Sequence, residues 1–245
     1  PEGKQPLPLT RFVLLHSPLV GPLTWALVAD ALEKRGASVV MPRLTSAPNL
    51  DLPYWARHVD EVVKALGGTA DSEPLVLVAH SGAGALLPVI GQRLRGRVAA
   101  YLFVDAGIPE DGKSRLDLFE SPDVVDEFRR AASGGLLPVW TDEDLRDVIP
   151  NAEIRDRFVA EQRPLPLAVY EEPIPVPHGW PDAPCGYLRF GANPAYDAAA
   201  AHARREGWAY RELDGDHFLM LVEAERVAEA LLDFVSRLEF DPKST

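Results

Sequence analysis

Cysteine is almost absent from this sequence, since Cys185 is the single cysteine among 245 residues. One cysteine excludes an intramolecular disulfide and is typical of proteins kept in a reducing compartment. We therefore expect a cytoplasmic location. Because Cys185 opens an apolar run, we expect its thiol to be buried rather than reactive.

Long apolar runs and basic clusters are also missing. No apolar run approaches the roughly 20 residues that span a bilayer, and Pro1–Thr10 has neither the charged nor the apolar region of a signal peptide. Lysine and arginine number 25 against 37 acidic residues, which gives a net charge of −12. These absences predict no membrane partner and no nucleic-acid partner.

Two kinds of binding motif do not occur in the sequence. No spacing of histidine, cysteine, aspartate and glutamate is typical of a metal site, and no dinucleotide-binding glycine fingerprint follows a predicted strand. We therefore expect neither a metal nor a cofactor. The length suffices for one substantial core, and no internal repeat divides the chain.

Strand-like and helix-like segments alternate along most of the chain. This alternation predicts an α/β fold with a mainly parallel sheet and helices on both faces. The predicted strands are Phe12–His16, Ser38–Met41, Leu75–Ala79, Val98–Val104, Gly186–Phe190 and Ala209–Leu213. The predicted helices are Trp25–Arg35, Tyr54–Leu66 (closed by Gly67 and Gly68), Ala83–Arg93, Tyr196–Glu206 and Ala224–Arg237, with a loop over Pro42–Pro53.

One long segment interrupts the alternation. Residues 106–184, here called the insertion, contain helical patches and a proline-rich run but no convincing strand. We predict that the insertion forms a helical lid on a core made of residues 1–105 and 185–245; a peripheral decoration is the alternative. Its apolar side chains line a pocket or form the lid's own core: Phe119, Phe128, Leu136, Leu137, Trp140, Tyr170 and Trp180.

The segment Leu75–Ala85 is the most informative part of the chain. Its apolar run ends at Ser81, and small residues then continue into a helical pattern. A serine in such a strand–turn–helix projects its hydroxyl from the sheet edge and needs a strained backbone, so its neighbours two positions away must be small. Ala79 and Ala83 meet that need. The pattern predicts a nucleophilic serine.

A candidate general base follows a later strand. His217 lies in the turn Asp214–Phe218, between a predicted strand and the final helix. A serine hydroxyl is a weak nucleophile near neutral pH and needs a base to take its proton. Histidine can accept that proton, because its ordinary pKa is about 6.5.

Together these segments resemble the α/β-hydrolase superfamily. The resemblance rests on Phe12–His16 with Trp25 downstream, on the turn around Ser81, and on Gly215–Phe218. It implies a Ser–His–acid triad that needs no cofactor, in which the acid orients the histidine and stabilises its cationic form.

The acid departs from the usual pattern. Most relatives carry it after the strand predicted at Gly186–Phe190, where this sequence has Asn193. An amide can orient an imidazole but cannot offset its positive charge. Asp105, which follows the strand Val98–Val104, is our preferred acid; Asp197 and no acid at all are the alternatives.

The oxyanion hole departs as well. The resemblance implies one backbone N–H from Gly82 and another from the position that Pro18 occupies, and proline has no N–H. Three alternatives remain open. The N–H of Leu19 completes the hole through a shifted loop, the Ser17 hydroxyl replaces the missing N–H, or the hole is weak. A hydroxyl-bearing residue directly after His16 resembles the hydroxynitrile lyase branch of the superfamily, and the sequence is loosely similar to that branch and to its plant methylesterase relatives.

These features predict hydrolysis of a small or medium ester, thioester or lactone with an apolar part through an acyl-enzyme. Two alternatives remain: a lyase or cyclase-like enzyme that uses the same residues without a covalent intermediate, and a small-ligand binding module. The resemblance gives His16 and His80 structural positions. We expect His58, His178 and His202 at the surface or in the lid. The oligomeric state is left open.

Overall fold

A parallel sheet forms the centre of the computed structural model, which describes residues 11–45, 53–67, 73–119, 121–132 and 134–239. Its six strands are β1 (Arg11–Leu15), β2 (Ser38–Val40), β3 (Leu75–Ser81), β4 (Val98–Ala106), β7 (Cys185–Phe190) and β8 (Ala209–Leu213). They lie in the order β2-β1-β3-β4-β7-β8, and all neighbouring pairs are parallel. The predicted α/β sheet is confirmed.

Helices cover both faces of this sheet. The helices are α1 (Leu23–Glu33), α2 (Tyr54–Leu66), α3 (Leu87–Arg93), α4 (Pro122–Ala131), α5 (Asp142–Leu145), α6 (Ala152–Glu161), α7 (Ala168–Glu171), α8 (Asp197–Arg205) and α9 (Ala224–Glu239). α1 and α9 pack on the face of the sheet toward which Phe12 and Leu14 point, and α2, α3 and α8 pack on the face toward which Val13 and Leu15 point. The sheet therefore contributes to two apolar cores, as expected for crossover helices in a parallel sheet.

The insertion contains α4 to α7 and a short antiparallel pair, β5 (Leu136–Leu137) with β6 (Leu165–Pro166). The prediction of no strand in the insertion was wrong, because two-residue strands have too few residues to show an alternating pattern. The single turn of α7 also lies inside the proline-rich run, between its prolines.

The insertion packs on the sheet domain as well as on itself. Its cluster of Leu137, Leu165, Val169 and Tyr170 includes Tyr54 from the first turn of α2. Phe158 of α6 joins the core on the α1 side of the sheet.

Three sequence-based expectations lie wholly or partly outside the described residues. They are the absence of a signal peptide in Pro1–Thr10, most of the loop Pro42–Pro53, and the closing role of Gly68. Within the described ranges, the structure contains no helix long and apolar enough to cross a bilayer.

Candidate active site

Ser81 ends β3 in a strained backbone conformation. Its φ is 57°, in the left-handed region that non-glycine residues rarely adopt. Ala79 and Ala83 are fully buried beside the turn, and Gly84 approaches the carbonyl of Gly107 so closely that a Cβ there would lie 2.3 Å from that oxygen. The two alanines that the sequence indicated are therefore buried beside the turn, and Gly84 lies where the backbone has no room for a side chain.

His217 and Asp105 form a hydrogen-bonded pair at the same edge of the sheet. His217 Nδ1 lies 2.6 Å from Asp105 Oδ2, and Asp105 is fully buried. The φ of Asp105 is 44°, so Asp105 is a second residue with a strained backbone near the end of a strand. The backbone N–H of Phe190 donates to Asp105 Oδ1 at 3.3 Å, so both carboxylate oxygens have a partner.

Asn193 holds Asp105 from the neighbouring loop. Its Nδ2 donates to Asp105 Oδ2 at 2.7 Å and lies 3.0 Å from His217 Nδ1. The backbone N–H of Ala195 donates to Asn193 Oδ1, which fixes the amide with its nitrogen toward Asp105. Because Nδ2 has no lone pair to offer, His217 Nδ1–H has Asp105 as its acceptor.

Asp197 faces a different partner. Its carboxylate is ion-paired with Arg189 and its side chain is 57% exposed, at the first turn of α8. The geometry therefore associates Asp105, and not Asp197, with His217.

The His217 ring lies between other rings. It lies against His80 at a tilt of 36° with centroids 4.3 Å apart, and it stacks on Tyr196 with centroids 5.6 Å apart. His80 Nε2 also lies 2.9 Å from the backbone oxygen of His217, so His80 contacts both the ring of His217 and the backbone of its turn. This packing restricts the imidazole to the orientation in which Nδ1 meets Asp105.

Two tyrosines contact this site directly: Tyr170, which the sequence offered as a pocket residue, and Tyr196, which the sequence did not assign. In the described part of the chain, Ser81 Oγ pairs with Tyr196 OH at 3.1 Å instead of with His217. Ser17 Oγ pairs with Tyr170 OH, also at 3.1 Å. Tyr196 follows Asn193 by one turn of a 3₁₀ helix, a spacing that no recognised motif marks.

The remaining oxyanion candidates lie beside these tyrosines. The N–H of Leu19 donates to Ser17 Oγ at 3.3 Å, so both are present near the nucleophile but engage each other. A Cβ on Gly82 would lie 2.6 Å from Tyr170 OH and 3.4 Å from Ser17 Oγ. The space above Gly82 is therefore bordered by two hydroxyl groups.

A small cavity of about 10 Å³ lies at the nucleophile, room for about one water molecule. Of the predicted pocket residues, Phe119 and Tyr170 line it. Trp140 packs on Phe218, and Trp180 packs on Tyr101, so neither lines it. Among the described residues, the cavity is lined by Ser81, Gly82, Ala85, Gly107, Arg115, Leu118, Phe119, Tyr170 and Tyr196.

Three further histidines and the cysteine are buried in the protein. His16 and His80 are buried as predicted, but the surface location predicted for His58 was wrong, because His58 shares the buried α2 face with Tyr54 at i, i+4 spacing. The expectation of a buried Cys185 is confirmed, and burial raises the pKa of its thiol to about 12. Among the described residues, no group of three or more histidine, cysteine or acidic side chains is placed to hold a metal.

Comparison with known proteins places this geometry in a family. The model of the alpha/beta hydrolase family matches residues 12–230. The chain belongs to the alpha/beta hydrolase family. The superfamily, fold class and enzyme class predicted from the sequence are thereby confirmed.

Two curated proteins illustrate the relatives of this hydrolase. The carbendazim hydrolyzing esterase of Nocardioides sp. (strain SG-4G) is 23% identical, and the match covers 91% of the hydrolase and 98% of the esterase. Putative methylesterase 13, chloroplastic, of Arabidopsis thaliana is 27% identical over 68% of the hydrolase. The hydrolase spans 41% of that methylesterase.

Solved structures share the fold along nearly the whole hydrolase. An extracellular alpha/beta-hydrolase from a Paenibacillus species, described as homologous to tobacco salicylic acid binding protein 2, has a TM-score of 0.77 at 23% identity and covers 92% of this chain and 98% of its own. The pyrethroid hydrolase of Sphingobium faniae JZ-2 has a TM-score of 0.70 at 21% identity, covering 93% and 97%. The cytoplasmic location expected for this hydrolase stays a prediction.

Proposed function

We propose that this hydrolase cleaves a small or medium carboxylic ester, thioester or lactone through an acyl-enzyme on Ser81. The observation that carries the proposal is the convergence at one sheet edge of a strained serine with φ 57° and a His217–Asp105 pair joined at 2.6 Å. A buried carboxylate bonded to one nitrogen of an imidazole leaves the other nitrogen as the proton acceptor.

Acylation begins when Ser81 Oγ attacks the carbonyl carbon and passes its proton to His217 Nε2. Asp105 stabilises the imidazolium that forms, because its negative charge lies against Nδ1. The N–H of Gly82 donates to the developing oxyanion. Collapse of the tetrahedral intermediate breaks the bond to the leaving group, which takes the proton from Nε2 and departs as an alcohol or thiol.

Deacylation repeats these steps with water as the nucleophile. Water gives one proton to His217 Nε2 and its oxygen to the acyl carbon; Ser81 Oγ then takes the proton as the acid leaves. For the first cycle to start, Ser81 Oγ exchanges its hydrogen bond with Tyr196 OH for one with His217.

The insertion acts as the lid in this proposal. Phe119 and Tyr170 belong to it and close the cavity to about 10 Å³, far less than the volume of an ester. Substrate therefore enters when these side chains move away from Ser81. This closure supports the lid interpretation over a peripheral decoration.

An apolar, preferably aryl, substituent is the proposed substrate feature. Phe119, Tyr170 and Tyr196 present aromatic rings to the cavity, and such rings favour apolar and aromatic ligands. The relatives' names agree in chemistry: they are an esterase that hydrolyses carbendazim, a putative methylesterase and a pyrethroid hydrolase.

A fluorophosphonate probe tests the proposal. We expect the purified protein to carry one phosphonyl group on Ser81 by mass spectrometry, and we expect His217→Ala to lose the adduct while it remains folded by circular dichroism. A panel of methyl, aryl and thio esters then measures turnover, with Ser81→Ala as the inactive control.

Two results contradict the proposal. An unmodified Ser81 in a folded protein, together with no ester turnover, rejects an acyl-enzyme and favours the lyase alternative, in which Ser81 and His217 only transfer protons. Turnover that survives Ser81→Ala rejects this serine as the nucleophile.

A further inference from the structure

Pro18 leaves one donor missing from the oxyanion hole, and the structure does not restore it with a backbone group from the same loop. The N–H of Leu19, the next in sequence, donates to Ser17 Oγ at 3.3 Å. Its hydrogen therefore points to a side chain and not to the space above Gly82. A donor for the substrate oxygen has to come from elsewhere.

The hydroxyls of Ser17 and Tyr170 supply one spare hydrogen. The two oxygens lie 3.1 Å apart, so a single hydrogen bond joins them. Two hydroxyls carry two hydrogens, and only one of these occupies the shared bond. Whichever group donates to the other, one O–H remains for a third oxygen.

The position of Tyr170 decides which hydroxyl faces the substrate. Its oxygen lies 2.6 Å from the point where a Cβ on Gly82 would stand, whereas Ser17 Oγ lies 3.4 Å from the same point. When Ser17 O–H donates to Tyr170, the phenolic hydrogen is the spare one, and this is the order that we assign. Such a chain of aligned donors strengthens its last hydrogen bond.

Arg115 ties the two sides of this arrangement together. Its Nε donates to the Gly82 carbonyl at 2.9 Å, and its Nη1 donates to the Val169 carbonyl, next to Tyr170, at 2.6 Å. The same guanidinium lies 5.9 Å from the centre of the Tyr170 ring. Arg115 is thus a positioning residue that holds Tyr170 beside Gly82 when the insertion covers the site.

Burial keeps the Tyr170 phenol neutral. The side chain is 1% exposed, and desolvation raises its pKa, against the opposing effects of Ser17 and the Arg115 charge. A neutral phenol retains its hydrogen over the whole range in which an esterase works. A phenol is also a stronger hydrogen-bond donor than an aliphatic hydroxyl, because its O–H group is more acidic.

We propose that the Tyr170 hydroxyl, from the insertion, is the second oxyanion donor of this hydrolase and replaces the N–H that Pro18 lacks. The inference rests on the proposed function and extends it by one catalytic residue. It means that the catalytic site is incomplete without the insertion, so lid closure and oxyanion stabilisation are one event.

Tyr170→Phe is the variant that tests this role, since it removes one oxygen and keeps the ring. We expect kcat for an aryl ester to fall about 10²- to 10³-fold with a much smaller change in KM, because the bond forms only in the transition state. Inhibition by a trifluoromethyl ketone, which forms a tetrahedral adduct on Ser81, weakens by a similar factor. Tyr101→Phe, a matched loss of a buried phenol that bonds Asp182 far from Ser81, keeps wild-type kcat.

The outcomes separate this inference from the proposed function. If the wild type carries the Ser81 adduct and hydrolyses esters but Tyr170→Phe keeps both kcat and ketone affinity, Tyr170 is not the donor and the inference alone is overturned. A large loss of kcat in Ser17→Ala with none in Tyr170→Phe also overturns it, because Ser17 is then the donor. If the wild type fails both assays, the proposed function fails first.

Discussion

At the residue scale, an amide and a carboxylate from different loops meet at His217. Asn193 reaches the imidazole from the loop after β7, where the family resemblance implies an acid, and Asp105 reaches it from the end of β4. The two side chains are joined at 2.7 Å, so each is held by the other. Mutations at this pair test how the histidine is polarised.

Asp105→Asn is expected to lower kcat/KM by about 10²- to 10⁴-fold, because an amide cannot offset the charge on His217. Asp197→Asn, the matched change at the exposed carboxylate bound to Arg189, is expected to leave kcat/KM within about twofold, since it has no part in the site. Steady-state kinetics on one ester measure both variants. The reverse ranking would show that the acid has been misassigned.

A double variant sharpens this prediction. Asn193 Nδ2 lies 3.0 Å from His217 Nδ1, so a carboxylate at the same position is within hydrogen-bond distance of the imidazole. We expect Asp105→Asn combined with Asn193→Asp to recover at least tenfold of the activity lost in Asp105→Asn alone. No recovery in a folded double variant would mean that the loop after β7 cannot support an acid here.

At the element scale, the insertion is attached to the nucleophile turn through buried polar contacts. Arg115 bonds the carbonyls of Gly82 and Val169, and its Nη1 lies 3.4 Å from Glu172. Glu172 in turn accepts from the N–H of Tyr54 at the start of α2. The insertion and the sheet domain therefore share one polar network as well as an apolar surface.

Arg115→Met is expected to lower the free energy of unfolding by about 3–5 kcal/mol, because it leaves two carbonyls without their donor and removes the cation beside the largely buried Glu172 carboxylate. Arg129→Met is the matched control: it removes an exposed ion pair with Glu171 on the insertion and is expected to cost no more than about 1 kcal/mol. Urea unfolding followed by circular dichroism measures both. Equal effects would argue against the network as the attachment of the insertion.

At the scale of the whole molecule, three buried histidines make the fold sensitive to acid. Burial lowers the pKa of His16 to about 4 and of His58 to about 3, and it holds the pKa of His80 well below its ordinary value. His16 accepts from the N–H of Leu44 through Nε2, so protonation there would set two donors against each other. These imidazoles are therefore neutral in the folded protein.

Stability is expected to decline as the pH falls below about 6.5, where unfolded histidines bind protons and the folded ones do not. Each buried site contributes about 1.4 kcal/mol of lost stability per pH unit until its own folded pKa is reached, near pH 4 for His16. Urea unfolding at several pH values measures this slope. His178→Gln, at an exposed histidine, is expected to keep the slope unchanged, and a constant stability from pH 6.5 to 5 would contradict the prediction.

Local sequence patterns were enough to predict the sheet, its helices and two residues of the candidate site. Ser81 and His217 were predicted because each follows an apolar strand and precedes a helix, a local pattern written in consecutive residues. Small residues beside Ser81 were likewise readable, since a strained turn limits side-chain size over a few positions.

The contacts between distant segments depend on tertiary packing and could not be predicted from local sequence patterns. Asp105 and Asp197 were both open as partners of His217 until the packing of β4 beside β7 brought Asp105 to 2.6 Å. Tyr170 meets Ser17 across 153 positions of sequence, and no local pattern encodes that distance. Which hydroxyl, amide or guanidinium completes a site depends on how the insertion folds back over the sheet, because such contacts form only between separately determined elements.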